Sequence, residues 1–333
     1  MLYVTTRSNQ EIYTAQRALA EDRAPDGGFY VPFRAPSFSG EDLAAMPFHQ
    51  RMAEVLNTFF QTKLTGWDIS FCIGRSSMKW LPMGNRITVG EFWHNPGWEF
   101  AQMERSLARL LCPEAEQPGN WLRIAIRIAV LAAILPEIAQ GAEPVDVSVL
   151  SGDLLWAMSI WYGRKWGLPV GSSILCCNEN KNIWDLFCHG QMRTDSVAIA
   201  TEVPEADLPL PADLERLIHG CCGTEEVLRY LDISRRGEVY DLEESRFTAL
   251  REGQYVSVVS SGRIRDAIPG ALRTHRYLLS PATSLAYAGL LDYRARKGIF
   301  RNALVVSERN PLLDSDTIAR VLEIPEAELK KHF

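Results

Sequence analysis

The chain has no CxxC pair among its seven cysteines, so a zinc ribbon is not encoded and no metal is expected. The cysteine number is odd, and four fall in the adjacent pairs Cys176-Cys177 and Cys221-Cys222. That usage suits a reduced, cytoplasmic setting in which cysteines serve as small buried apolar residues. Long apolar runs are missing too. The longest, Ile124 to Leu135, is interrupted by Arg127 and is too short to cross a bilayer. The opening Met1-Leu2-Tyr3-Val4 passes directly into Thr5, Thr6 and Arg7, so no N-terminal signal is expected. Basic charge is not in excess. A net charge of −6 gives no reason to expect nucleic acid or an anionic membrane as partner. No repeat and no low-complexity tract interrupts the sequence.

What is present fits a globular α/β protein. With 333 residues, 47% of them hydrophobic and 23% charged, the chain is long enough for two lobes, or one large lobe and a cap. Helical spacing runs over residues 9–22 up to the turn signal Ala24-Pro25-Asp26-Gly27-Gly28, and again over 41–64, 97–112 and 120–139. The pattern then changes. Strand-like Val145 to Leu150 leads through Ser151-Gly152-Asp153 into a helix over 154–166, which the Gly167-Leu168-Pro169 turn ends. A strand over Ser172 to Cys177 and a helix over 182–189 follow. This β-turn-α-β order predicts a parallel sheet. A helix over 282–297 and a strand over Asn302 to Ser307 complete the pattern.

Several segments, in order, resemble threonine synthase. Thr5-Thr6-Arg7 stands where that family has STRG, and Ala24 to Pro32 is similar to APDGGLYVP. Glu91 to Ala101 is similar to ELFHGPTLAFK, Asn120 to Arg123 to the end of NSINWAR, and Val147 to Asp153 to VSVPSGN. Asn178-Glu179-Asn180 matches NEN. Ser280-Pro281-Ala282-Thr283 and Ser307 to Pro311 stand where DPHT and STAHP are expected. The resemblance covers nearly the whole chain. It implies a twisted parallel sheet flanked by helices, like threonine synthase and the tryptophan synthase β chain. It also implies a helical N-terminal portion with a truncated small domain over 1–119 and an α/β large domain over 120–333.

The departures bear on function. The family's pyridoxal phosphate (PLP) lysine is the last letter of ELFHGPTLAFK, and here it is Ala101, which has no amine for an imine. The small lobe with its SGDTG loop has no counterpart between Ala101 and Asn120. The GNFG-type phosphate turn reads Gly152-Asp153-Leu154-Leu155, and the Thr of STAHP is Glu308. No cofactor is therefore expected. The resemblance implies that Asn120 and Arg123 face substrate, with Arg7 and Ser151 in matching motifs. Arg127, four residues beyond Arg123, shares its helical face and offers a second guanidinium for a phosphate or sulfate. Asp153, Glu99 and His94 are the candidate catalytic groups. Asp153 leads because it follows a Gly at a strand-to-helix turn, where α/β sheets form ligand crevices. The expected activity is a PLP-independent loss or displacement of a sulfate or phosphate ester from an amino-acid-derived substrate. Ring closure to an aziridine is one variant. A protein partner or a second copy is expected over the open cleft. The alternative is an inactive homologue serving as scaffold or regulatory subunit.

Overall fold

A computed structural model describes residues 1–75, 78–113, 119–139 and 143–332. Six strands build the main sheet in the order Gln254–Val258, Val170–Cys177, Val145–Leu150, Ala303–Ser307, Ile87–Glu91, Lys79–Pro82. The first five run parallel, and Lys79–Pro82 closes the edge antiparallel to Ile87–Glu91. Parallel strands need crossover connections, here mostly helical, which leave both faces of the sheet covered.

Alternation along the strands sorts side chains to the two faces. Val147, Val149, Leu175 and Cys177 point into the larger core, with the helices Phe48–Phe60, Asn120–Ile138 and Leu155–Lys165. Ile174, Cys176, Val305 and Val89 point into a second core beneath the helix Pro281–Lys297. The same alternation sends Cys176 and Cys177 to opposite faces, which explains an adjacent pair that stays unbridged. Only Cys112, Cys176 and Cys177 are buried. Cys72, Cys221 and Cys222 are half-buried and Cys188 is exposed, so the expectation of uniformly buried cysteines fails for four of them.

The α/β class and the parallel sheet agree with the sequence, and the helix Asn120–Ile138 matches its expected span. Differences concentrate in the first hundred residues. The span 9–22 holds a strand, Tyr13–Thr14, and only a short helix, Ala15–Ala20. Tyr13 pairs with Tyr3 in a small antiparallel sheet, so tertiary pairing overrides the local helical spacing. The span 41–64 is two helices, Gly40–Ala45 and Phe48–Phe60, divided at Pro47, which has no N–H to donate to the preceding turn and stands at the start of the second helix. The strands Lys79–Pro82 and Ile87–Glu91 lie in the portion before residue 119 yet belong to the main sheet. A division at that point therefore does not separate two sheets.

The topology places the site. From Val145–Leu150 the chain steps outward to Val170–Cys177 and Gln254–Val258. It then returns to insert Ala303–Ser307 on the other side. Segments leaving the carboxyl ends of these strands diverge and open a crevice.

Candidate functional site

A cavity of about 710 Å³ occupies that crevice. Each wall is a continuation of a strand: Phe92 and Trp93 after Ile87–Glu91, Gly152 and Asp153 after Val145–Leu150, and Glu308 to Asn310 after Ala303–Ser307. Glu99, Phe100 and Ala101 enter from the start of the helix Phe100–Leu111, Trp156 from Leu155–Lys165, and Ala282 and Thr283 from Pro281–Lys297. Glu205 and Leu208 also border it.

The lining is acidic and aromatic. Glu99, Asp153, Glu205 and Glu308 contribute carboxylates, and Phe92, Trp93, Phe100 and Trp156 contribute rings. Among the described residues Arg309 is the only cationic side chain on the lining, and the chain itself neutralises it. Its Nε and Nη2 donate to Asp314 at 2.8 Å, and Nη1 lies 3.2 Å from Glu205. Glu308 Oε1 accepts from Trp156 Nε1 at 2.8 Å. Burial raises the Glu308 carboxyl above the usual carboxylate range, aided by Asp153 and Glu104 and opposed by the Arg127 charge and the indole bond. Glu308 keeps an exposed surface, and it borders the cavity.

Asp153 sits in a strained turn. Gly152 has φ +39° and Leu154 φ +67°, a left-handed conformation uncommon for leucine. The turn aims Asp153 Oδ1 at the Leu155 N–H, 3.0 Å away, at the start of the helix Leu155–Lys165. An open N–H at such a helix start is where a phosphate would bind, and here the chain's own carboxylate takes it.

The other sequence candidates fall elsewhere. Glu99 is on the cavity lining. His94 is not. Its Nδ1 lies 3.3 Å from Glu91, a carboxylate that is 1% exposed. Arg123 and Arg127 share a helical face as expected, but both converge on Glu104 of the facing helix, at 3.7 and 2.7 Å. Arg127 lies over the Phe100 ring at 4.3 Å and near Trp156 at 5.8 Å, whereas neither arginine borders the cavity. The charges of Glu104, Glu308 and Asp153 outweigh burial and hold the Arg127 guanidinium above its ordinary value. The open arginine cradle expected from spacing is thus closed by Glu104. Asn120 joins a buried network, donating to Asp213 at 3.5 Å and accepting from Arg216. Arg7 makes a bidentate pair with Glu215 at 3.0 and 2.9 Å. Ser151 is buried, and its main chain bonds Cys176 and Leu154.

Sequence reasoning missed Thr283, Arg309 and Asn310 as lining groups, although two motif matches contained them. It also missed Glu104, which lies in a segment without a motif.

The lining does not fit PLP. Ala101 borders the cavity where the family's amine would stand, and among the described residues no lysine lines it. The phosphate end meets Asp153 instead of a free N–H. Negative charge accumulates where a dianion would need positive charge.

Fold and crevice together define an α/β protein of the threonine synthase fold. PLP-bound threonine synthase from Brucella melitensis superimposes with a TM-score of 0.83 at 15% identity, covering 96% of this chain and 91% of that one. The yeast enzyme gives 0.81 at 16% identity, covering 99% and 93%, and the Escherichia coli enzyme 0.76 at 14%, covering 97% and 92%. Residues 2–77 match the family described as Threonine synthase N terminus. Over 178 residues, 50% of this chain, it is 25% identical to Threonine synthase-like 1 of Pongo abelii and 24% identical to that of Homo sapiens. The match takes in 24% of the length of those relatives. Among the described residues no helix is long and apolar enough to cross a membrane.

Proposed function

We propose that the chain is a PLP-independent enzyme that removes a sulfate or phosphate ester from an amino-acid-derived substrate, acting in a heteromeric complex. The observation that carries this reading is the cavity itself. It keeps the place and size of a ligand site, has lost its amine at Ala101, and has gained the carboxylates Asp153 and Glu308. In the displacement, a carboxylate of Asp153 or Glu308 takes a proton from the substrate's amine. The nitrogen lone pair forms a bond to the carbon bearing the ester, and the C–O bond breaks with its electron pair leaving on the sulfate or phosphate. A three-membered aziridine results when amine and ester are on neighbouring carbons. In the elimination variant the proton comes from carbon and a double bond forms. Holding nucleophile and carbon together supplies much of the rate. Burial raises the Glu308 carboxyl above the usual carboxylate range, which makes it a stronger base than an ordinary carboxylate. Arg309 is the guanidinium available to the departing anion, and it reaches the anion by exchanging Asp314 or Glu205 for it.

A partner or second copy has support beside the site. The helix Gly66–Ile73 presents Trp67, 64% exposed, and Phe71, 86% exposed, while packing on the segment that carries Glu99 and Phe100.

The test is release of inorganic sulfate or phosphate from O-sulfo and O-phospho amino-acid esters, without PLP. Release that falls by about 10²-fold or more in Asp153→Asn or Glu308→Gln supports the reading, that being the scale of general-base catalysis. Pyridoxyl-lysine found by mass spectrometry after borohydride reduction of the chain with PLP overturns it. Absence of release from every ester, alone and with a partner, favours the inactive scaffold.

A further inference from the structure

A line of hydroxyls runs behind the cavity wall, and its two fixed ends determine where every hydrogen points. Glu91 is 1% exposed, and the Lys79 ammonium lies 3.4 Å away as its counter-charge. An ionised carboxylate only accepts. Tyr277 therefore donates its single hydrogen to Glu91 Oε1, at 2.9 Å. The Tyr277 oxygen also contacts the Ser307 hydroxyl, and with its hydrogen committed it can only accept there, so Ser307 donates. At Ser307 Oγ the Trp93 indole N–H, a pure donor, arrives at 3.1 Å. Ser307 Oγ and Thr283 Oγ1 are 2.8 Å apart. Because the Ser307 hydrogen is directed to Tyr277, Thr283 donates in this contact. By the same count Ser280, 2.9 Å from Thr283 Oγ1, donates to Thr283. The hydrogens run in one direction, from Ser280 through Thr283, Ser307 and Tyr277 to Glu91.

Thr283 borders the cavity and is 2% exposed. It has given its hydrogen away and has received one from Ser280, so a lone pair is all it can offer a ligand. The neighbouring donors are committed as well. Trp93 serves Ser307, Trp156 serves Glu308, and Arg309 serves Asp314 and Glu205. Among the lining side chains the amide hydrogens of Asn310, whose Oδ1 accepts from Leu312, remain. Against them stand the four carboxylates and four aromatic faces.

We infer that the cavity selects a primary ammonium group, a ligand that only donates and carries positive charge, and that Glu91 is the positioning residue that fixes this preference through Tyr277, Ser307 and Thr283. This rests on the cavity being the ligand site of the proposed function, and it names the substrate's amine as what the site recognises. Aromatic faces add cation–π attraction to the carboxylate contacts. A neutral hydroxyl, whose oxygen also seeks a donor, finds few in the wall.

The experiment uses the native chain at neutral pH and follows indole fluorescence, since Trp93 and Trp156 line the cavity. Butylamine and butanol are the probes, matched in chain length and different in head group. Native protein is expected to bind butylammonium at least tenfold more tightly. In Tyr277→Phe the Ser307 hydrogen is released to turn toward Thr283, which frees the Thr283 hydrogen to donate. The amine-to-alcohol preference then falls by roughly three- to tenfold, the worth of one hydrogen bond reversed. Ser307→Ala shifts the ratio the same way by removing the acceptor of Thr283. A uniform loss of stability does not move such a ratio. Equal binding of the two probes by native protein overturns ammonium selection. An unchanged ratio in both variants overturns the assignment to Glu91. Amine binding without ester cleavage leaves this inference standing and removes the enzymatic reading. Ester cleavage without amine preference does the reverse.

Discussion

Glu308 is subject to two opposing demands. The indole of Trp156 and the charge of Arg127 favour its ionised form, while enclosure by protein disfavours it, and enclosure dominates. Its folded pKa therefore lies above that of the unfolded chain. Below the unfolded value the carboxyl is neutral in both states and folding is not opposed. As pH rises through the window between the two values, the unfolded chain gains stability by ionising and the native state falls behind. Above the folded value the deficit is constant. Glu308→Gln mimics the neutral form and removes it. The melting temperature of this variant should match native protein at acidic pH and exceed it by about 1–2 °C near neutrality, a modest figure because the group retains exposed surface. Calorimetric scans across that window check it, and a variant less stable than native at neutral pH contradicts it. Loss of the group as a base should accompany the gain in stability, as is common where a site holds a strained or poorly solvated residue.

At the scale of elements, the two arginines expected to cradle an anion instead fasten the helix Asn120–Ile138 to Phe100–Leu111 through Glu104. Arg127 is nearly buried, so its removal strands a poorly solvated carboxylate. Arg127→Met should cost about 3 kcal/mol in urea unfolding, the usual effect of breaking a buried pair from one side. The double variant Arg127→Met with Glu104→Leu should recover most of that loss, because replacing both charges by apolar groups removes the desolvation along with the attraction. A double variant no more stable than the single one contradicts a pairwise clamp. The contrast marks where sequence reading succeeds. Val145–Leu150, Leu155–Lys165 and Asn182–His189 were legible because each carries its own periodicity and stop signal, and Asp153 and Glu308 were legible because they stand at strand ends inside recognisable motifs. The N-terminal span 9–22 was not, because Tyr13 is held by pairing with Tyr3 and not by its neighbours. The hydroxyl line was hidden for a related reason. Tyr277 and Glu91 are 186 positions apart, and Thr283 and Ser307 are 24 apart, so only the folded sheet edge brings them into register. Spacing put Arg123 and Arg127 on one face correctly, but it carried no information about what that face meets.

For the molecule as a whole, Ala101 is only part of what disfavours PLP. The walls oppose it as well. The helix-start N–H that would bind phosphate is taken by Asp153, the lining carries four carboxylates, and the cationic side chain described there, Arg309, is bound by Asp314 and Glu205. Repulsion between Asp153 and the cofactor's phosphate at the helix start opposes binding, and low local dielectric strengthens it. Ala101→Lys therefore should not recover PLP binding. The new amine would face Glu99, Asp153 or Glu308 and form an ion pair before it met an aldehyde. The variant mixed with PLP should remain without imine absorbance in the visible, and borohydride should fix no pyridoxyl group on the introduced amine. Adding Asp153→Gly and Glu308→Thr to it removes two of the opposing charges and opens the helix start, so any imine signal should first emerge in that triple variant. Strong coloration of Ala101→Lys alone would mean that the crevice has kept its affinity for the phosphate, and that the altered walls are incidental to what the chain binds.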